Sequence, residues 1–150
     1  MAQLRVQSPL GDFVAYPEAT DEIDAVGDAD VVFVGLNAYS IPALAPRLGE
    51  LLPPEAAVIW AQNGVPFWYF QAIPGELSGT VVNSVDPGGV ISATISARHN
   101  VGCVVYCASE IVEPGVVRHV EGTRFSIGEP DGSASERCNA IAEAFAAGGG

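Results

Sequence analysis

Apolar positions change rhythm several times along this chain, and each rhythm predicts an element. From Asp30 to Leu36 they run almost without interruption (Val31-Val32-Phe33-Val34). An unbroken run, rather than an alternating one, predicts a strand covered on both faces, as in a parallel sheet. From Ser40 the spacing becomes helical: Ile41, Leu44, Ala45, Leu48, Leu51 and Leu52. Pro42 suits a first turn, Pro46 is expected to kink the helix, and Pro53-Pro54 end it. Ala56 to Ala61 is a second apolar strand, closed by Gln62-Asn63-Gly64. Strand, helix and strand in this order predict a βαβ unit with a right-handed crossover.

The flanking segments read differently. Leu4-Arg5-Val6 and Phe13-Val14-Ala15 enclose Ser8-Pro9-Leu10-Gly11, so residues 1–17 are expected to form a hairpin. Thr20-Asp21-Glu22 predicts the start of a short helix that stops near Gly27. Phe67-Trp68-Tyr69-Phe70 is expected to be a helical turn plugging the core, and Ser84 to Gly89 a turn or helix entry. The stretch from there to Asn100 fits helix and strand equally. Gly102 to Ile111, Val116 to Val120 and Arg124 to Ile127 predict an antiparallel meander, with Glu113-Pro114-Gly115-Val116 as one tight turn. Ser133-x-x-Glu136 reads as a capping box opening a last helix, with Cys138, Ile141, Ala142 and Phe145 as its buried stripe. The fold class that follows is α/β: one domain over residues 1–150, with a parallel βαβ unit, an antiparallel meander and a C-terminal helix.

Composition narrows the chemistry. The 150 residues contain six Lys+Arg against eighteen Asp+Glu, a net charge of −12. All six cations are arginine (Arg5, Arg47, Arg98, Arg118, Arg124 and Arg137), so a Schiff-base, phosphate-loop or general-acid lysine is excluded. Nucleic acid and anionic membrane surfaces are poor partners for such a chain. Hydrophobic residues make up 49%, too many for a disordered chain. No apolar run approaches the ~18 residues of a membrane span, and no signal-peptide pattern opens the chain. Cys103, Cys107 and Cys138 read as reduced thiols of a cytoplasmic protein. His99 and His119 fit no zinc-ligand spacing, so no metal site is expected.

In an open α/β sheet, ligands bind beyond the carboxyl ends of the strands. Two such ends are visible, Gly35-Leu36-Asn37-Ala38-Tyr39 and Gln62-Asn63-Gly64-Val65-Pro66. Both place an amide just beyond a buried strand, where it can donate and accept without a charge penalty. Asn37 could equally cap the next helix, and Asn63-Gly64 could be a simple turn. No G-x-G-x-x-G follows any strand, so a pyrophosphate loop of the usual kind is lacking. Glu110 and Glu113 read as solvated turn carboxylates, and no G-x-S-x-G supports hydrolysis.

These segments carry a family resemblance. Ala29-Asp30-Val31-Val32-Phe33-Val34-Gly35-Leu36-Asn37-Ala38-Tyr39 is similar to the ADLV-hydrophobic-K-A-(Y/H/W) segment of ketopantoate reductases (2-dehydropantoate 2-reductases). Gln62-Asn63-Gly64-Val65-Pro66-Phe67-Trp68-Tyr69-Phe70 resembles the N-G-(I/V)-P-W-W-Y-F signature of one branch. Ser8 to Phe13, Asp86 to Gly89, Gly102 to Tyr106 and Glu110 to His119 also fit, in order along nearly the whole chain.

The resemblance implies a partial Rossmann-like fold, the back half of a dinucleotide-binding domain. The family's glycine-bearing βαβ unit would lie before Met1. Its helical domain, with a catalytic lysine and a glutamate, would lie after Gly150. In a complete relative, hydride passes from NADPH to the ketone of 2-dehydropantoate, in pantothenate and coenzyme A biosynthesis, while a protonated lysine polarises the carbonyl. The family's other lysine is replaced here by Asn37. Asn63 matches an asparagine that contacts cofactor and substrate, and Ala108 a backbone contact to the nicotinamide end. The resemblance therefore assigns Asn37, Asn63 and Ala108 to the NADP(H) wall and no residue of this chain to catalysis.

The chain alone is expected to be inactive and to bind cofactor weakly. The alternative is a non-catalytic, truncated, self-associating module. The strand Val31 to Val34 would lack its usual neighbour and carry an unblunted edge, which predicts a homodimer. Folding of Leu4 to Ala15 over that edge is the competing expectation.

Overall fold

The computed structural model describes residues 2–148. Six strands form one mixed sheet: β1 (Leu4–Gln7), β2 (Phe13–Ala15), β3 (Val31–Val34), β4 (Ala57–Ala61), β5 (Asn100–Glu113) and β6 (Val116–Gly128). Three helices accompany them: α1 (Ile41–Leu51), α2 (Val90–Thr94) and α3 (Glu136–Ala147). The sheet order is β2-β1-β6-β5-β4-β3. β3, β4 and β5 are mutually parallel, β5 and β6 antiparallel, β1 parallel to β6, and β1 antiparallel to β2.

β4 is the buried centre, because its alternate side chains enter two cores. Val58 and Trp60 join Val34, Ile41, Ala45, Leu48, Phe67, Ile91 and Ile95 on the α1/α2 side. Ala57 and Ile59 join Val101, Cys103, Cys138 and Ile141 on the α3 side. A strand covered on both faces has no reason to alternate in polarity, which is why residues 57–61 read as one apolar run.

The second such run behaves otherwise. β3 ends the sheet, and Val31 and Phe33 are 45% and 47% exposed. The expected cover on both faces is complete only on the α1 side, where Val34 is buried and Val32 packs against the core. On the other face Phe33 meets Phe145 of α3, 5.9 Å between ring centres, and stays half exposed. The N-terminal hairpin forms as expected but does not reach this edge. It docks at the opposite side of the sheet, with β1 in register along Val116–Arg118 of β6. Ser8 pins it there, its Oγ lying 2.8 Å from Nδ1 of His119. His119 Nε2 lies 2.7 Å from the Gly122 carbonyl. A carbonyl only accepts, so Nε2 carries a proton, and in the neutral ring Nδ1 accepts from the Ser8 hydroxyl.

Other expectations are corrected by tertiary context. The meander is a single long hairpin, because β6 runs unbroken from Val116 to Gly128. The break expected between Val120 and Arg124 is a β-bulge at Glu121-Gly122, marked by register shifts on either side of Ala108. Gly122 sits at φ +76°, where an added Cβ would collide with the Tyr106 carbonyl. The last helix is capped by Ser135, whose side chain accepts from the Cys138 amide, and not by Ser133. Asp131 takes both the amide and the hydroxyl of Ser133, at 2.9 and 2.6 Å. Ala142, expected in the buried stripe, faces solvent. The element after Thr20 is a 3₁₀ turn, Ile23–Asp28. The ambiguous stretch resolves to α2 and a 3₁₀ turn over Ala97–His99, and Asp86 is the helix entry. Its buried carboxylate accepts from the amides of Ile91 and Ser92 and from the Ser92 hydroxyl.

Candidate functional site

The carboxyl ends of β3 and β4 lie side by side, and two consecutive amides beyond β4 reach in opposite directions. Gln62 Nε2 donates to the Leu36 carbonyl beyond β3, at 2.9 Å. Asn63 Nδ2 donates to the Val105 carbonyl and its Oδ1 accepts from the Val105 amide, both at 3.0 Å. The side chain thereby imitates a strand residue, continuing the β4–β5 ladder after β4 has ended. An amide group has two donor hydrogens and two acceptor lone pairs. Asn63 thus keeps one N–H and one lone pair for a ligand while its orientation is fixed by β5.

Asn37 is exposed and donates from Nδ2 to the Tyr39 hydroxyl at 2.9 Å. It initiates the 3₁₀ turn Ala38–Ser40 without a side-chain cap bond. A small pocket of about 160 Å³ joins the two strand ends, bounded among others by Ala38, Gln62, Asn63, Gly64 and Val65. Asn37 and Asn63 therefore belong to adjacent loops. Ala108 does not lie beside them: it is three residues beyond Val105 on β5, about 10 Å along a strand, at the bulge and exposed to solvent.

The aromatic cluster divides. Phe67 is buried edge-on against Trp60, 5.0 Å between ring centres, and does plug the core. Trp68 is half-buried and lies over Gly102, where a Cβ would come within 2.9 Å of Cη2. Tyr69 is 45% exposed. Trp60 is held by Nε1–H donation to Asn100, whose own amide donates to Gln71. A cleft of about 440 Å³ opens beside Trp68, with Gln62 and Gly64 in one wall. Burial pushes the Cys103 thiol of that cleft above its ordinary range, so it stays protonated and acts as apolar wall.

Near the cleft, Arg137 clamps Glu129. Nε reaches Oε1 at 2.6 Å and Nη2 reaches Oε2 at 2.5 Å. Arg137 also donates to the carbonyls of Arg98 and Asn100. Arg137 foremost, with hydrogen bonds from Ser135 and Cys138, holds the Glu129 carboxyl below its ordinary range against the opposing effect of burial. Nothing in the residue pattern announced this tie, because Glu129 and Arg137 are joined by a turn whose geometry is tertiary.

A parallel β3–β4–β5 sheet with helices on both faces and polar groups at its carboxyl ends defines a Rossmann-like α/β protein. The family model of ketopantoate reductase PanE/ApbA matches residues 2–66. A 2-dehydropantoate 2-reductase of Mesorhizobium japonicum is 44% identical over 125 residues, 83% of this chain and 38% of its own length. One from Halobacterium salinarum is 30% identical over 97% of this chain and 42% of its own. The crystal structure of a protein assigned as a ketopantoate reductase from Ralstonia solanacearum superposes with a TM-score of 0.86 at 38% identity, covering 95% of this chain and 44% of that one. The chain is a relative of the ketopantoate reductases. It spans about two fifths of the length of the curated relatives it matches.

Proposed function

We propose that this chain supplies the later half of the NADP(H)-binding domain of a ketopantoate reductase-type oxidoreductase. In the whole protein the reaction would be hydride transfer from NADPH to the ketone of 2-dehydropantoate, giving pantoate. The observation that carries this reading is the fixed Asn63 amide at the carboxyl end of β4, in a chain 44% identical to a 2-dehydropantoate 2-reductase. Asn63 would offer its free N–H and lone pair to the cofactor, Asn37 would stand at the neighbouring strand end, and Ala108 would approach through its backbone. A glycine loop at a helix N-terminus, which usually holds the pyrophosphate, is not among these elements. Affinity of this chain alone is therefore low. Titration of NADPH into isotope-labelled protein tests the reading. Weak, saturable shifts of the Asn37 and Asn63 side-chain amides, lost in Asn63→Ala, are expected; shifts confined to other regions would overturn it.

A second reading, a self-associating module, is favoured by the open edge of β3. Val31–Val34 contains neither charge nor proline, and apolar hollows lie on both sides of it. Two copies joined edge to edge about a two-fold axis would pair these backbones. Light scattering over a dilution series decides: a monomer mass at high concentration would end this reading.

A further inference from the structure

Gly102 and Gly128 face each other directly across β5 and β6. With no side chain on either, the sheet surface there is bare, flat backbone. The Trp68 ring covers one half of this shelf, in contact with Gly102. The other half is uncovered: a Cβ built on Gly128 would meet nothing within 4 Å. The cleft above it, about 440 Å³, is of the size of small-molecule sites. Its walls are apolar and mostly rigid, with Trp60, Pro66, Tyr69, Ile73, Ile127 and Pro130 among them.

Two further features bear on what would fit. The indole N–H of Trp68 is buried and has no acceptor among the described residues. Buried donors are nearly always paired; this one is closed to solvent as well as unpaired, so a ligand acceptor reaches it only when the Trp68 ring turns in its seat over Gly102. The carboxylate in the lining, Glu129, is already neutralised by Arg137, and among the described residues the cleft offers no free cation. A charged ligand group would find no counter-ion there, whereas a neutral flat group would cover the backbone and meet the Trp68 face.

We propose that this cleft binds a flat, uncharged aromatic ring of a small ligand, lying on Gly128 beside the Trp68 indole and bearing an acceptor at its edge. The ring could be carried by a substrate side chain or by the base of a cofactor. The site does not depend on the reductase reading, since it is built from β5, β6 and the residues following β4.

The chain has two tryptophans, Trp60 and Trp68, and both line the cleft. The Trp60 indole N–H is held by Asn100 in the core, so the Trp68 resonance is the reporter of this site and the Trp60 resonance the internal reference. Indole, quinoline (a ring with an acceptor nitrogen) and cyclohexanol are titrated into the nitrogen-15-labelled full chain. Quinoline is expected to shift the Trp68 indole N–H and the Gly128 amide together, with a Kd of about 1 mM. Indole should bind about threefold more weakly and cyclohexanol about tenfold. Gly128→Leu fills the bare half of the shelf and should abolish the shifts while the rest of the spectrum is retained. Gly128→Ala serves the same purpose if the larger side chain disturbs the sheet. Phenylpyruvate and NADPH, titrated separately, show which source delivers the ring. Absence of shifts with quinoline, equal response to cyclohexanol, or unchanged binding in both Gly128 variants would overturn the proposal.

Discussion

Asn63 and Val105 exchange two hydrogen bonds, each 3.0 Å long, so that a side chain replaces the backbone rung that β4 can no longer provide. This pairing fixes the residue that stands at the strand end and ties the following loop to β5. Asn63→Ala should lose about 1–2 kcal/mol of stability, two solvent-accessible hydrogen bonds' worth. Asn63→Asp should lose more, because a carboxylate still accepts from the Val105 amide but opposes the Val105 carbonyl. Urea denaturation ranks the variants. Hydrogen exchange at Val105 should be faster in Asn63→Ala, and equal exchange would show the pairing to be absent in solution.

Asn37→Lys should not create a reductase. The substitution restores a cation at the end of β3, but Asn37 is exposed and bonded only to Tyr39 among the described residues. The chain has no other lysine, so the added one would stand without a second lysine to protonate a substrate carbonyl. NADPH oxidation with 2-dehydropantoate, followed by absorbance, should equal a no-protein control. Turnover above it would show that this chain holds more of the reaction than its strand ends suggest.

Val31→Lys should weaken self-association. Val31 is on the open edge strand and 45% exposed, so a lysine there reaches water while its charge blocks a second strand. Folding should change little, by less than about 1 kcal/mol. Sedimentation should show the wild type heavier than the variant at equal concentration, and identical masses would assign any association to another surface.

Acid should remove the Glu129–Arg137 tie. Arg137 holds the Glu129 carboxyl below its ordinary value of 4.5 in the folded chain. The unfolded chain then binds the proton first as pH falls. The contribution is complete above about pH 5 and disappears as pH falls through 4.5 to the lowered folded value. Glu129→Gln should cost about 2 kcal/mol at neutral pH, less than a sealed pair because Arg137 is one-third exposed. Its denaturation midpoint should also vary less between about pH 5 and 3 than the wild type's. Parallel slopes would place the acid sensitivity elsewhere.

Gly122→Ala should cost about 2 kcal/mol, since φ is +76° and the new methyl would enter the Tyr106 carbonyl. The His119–Gly122 contact would shift with it and loosen the β1–β2 hairpin. Calorimetry reads the first effect and proteolysis before β3 the second. A normal midpoint would mean that the bulge can relax.

Local pattern was enough to locate β4, α1, the N-terminal hairpin and the parallel βαβ unit. Each rests on a rule that acts over a few residues: apolar runs for buried strands, 3.6-residue spacing for the helix, and Pro-x-Gly for the turn. The sequence also marked both strand ends and their amides, and the motifs around them carried the family resemblance. Partner choice was settled at longer range. Val31–Val34 and Ala57–Ala61 look alike in composition, yet one is an edge and the other the centre, because sheet order depends on which strands compete for the same backbone groups. Ser133 with Glu136 reads as the capping box until Asp131 takes its amide and hydroxyl, and Ser135 caps the helix in its place. Asn63 reads as a free polar group until β5 passes within 3.0 Å. The bare shelf at Gly102 and Gly128 exists only because two glycines, 26 residues apart in number, meet across one hairpin in register. Short-range preferences write the elements into the chain, whereas strand order, register and the fate of each polar group follow from long-range competition that no local pattern records.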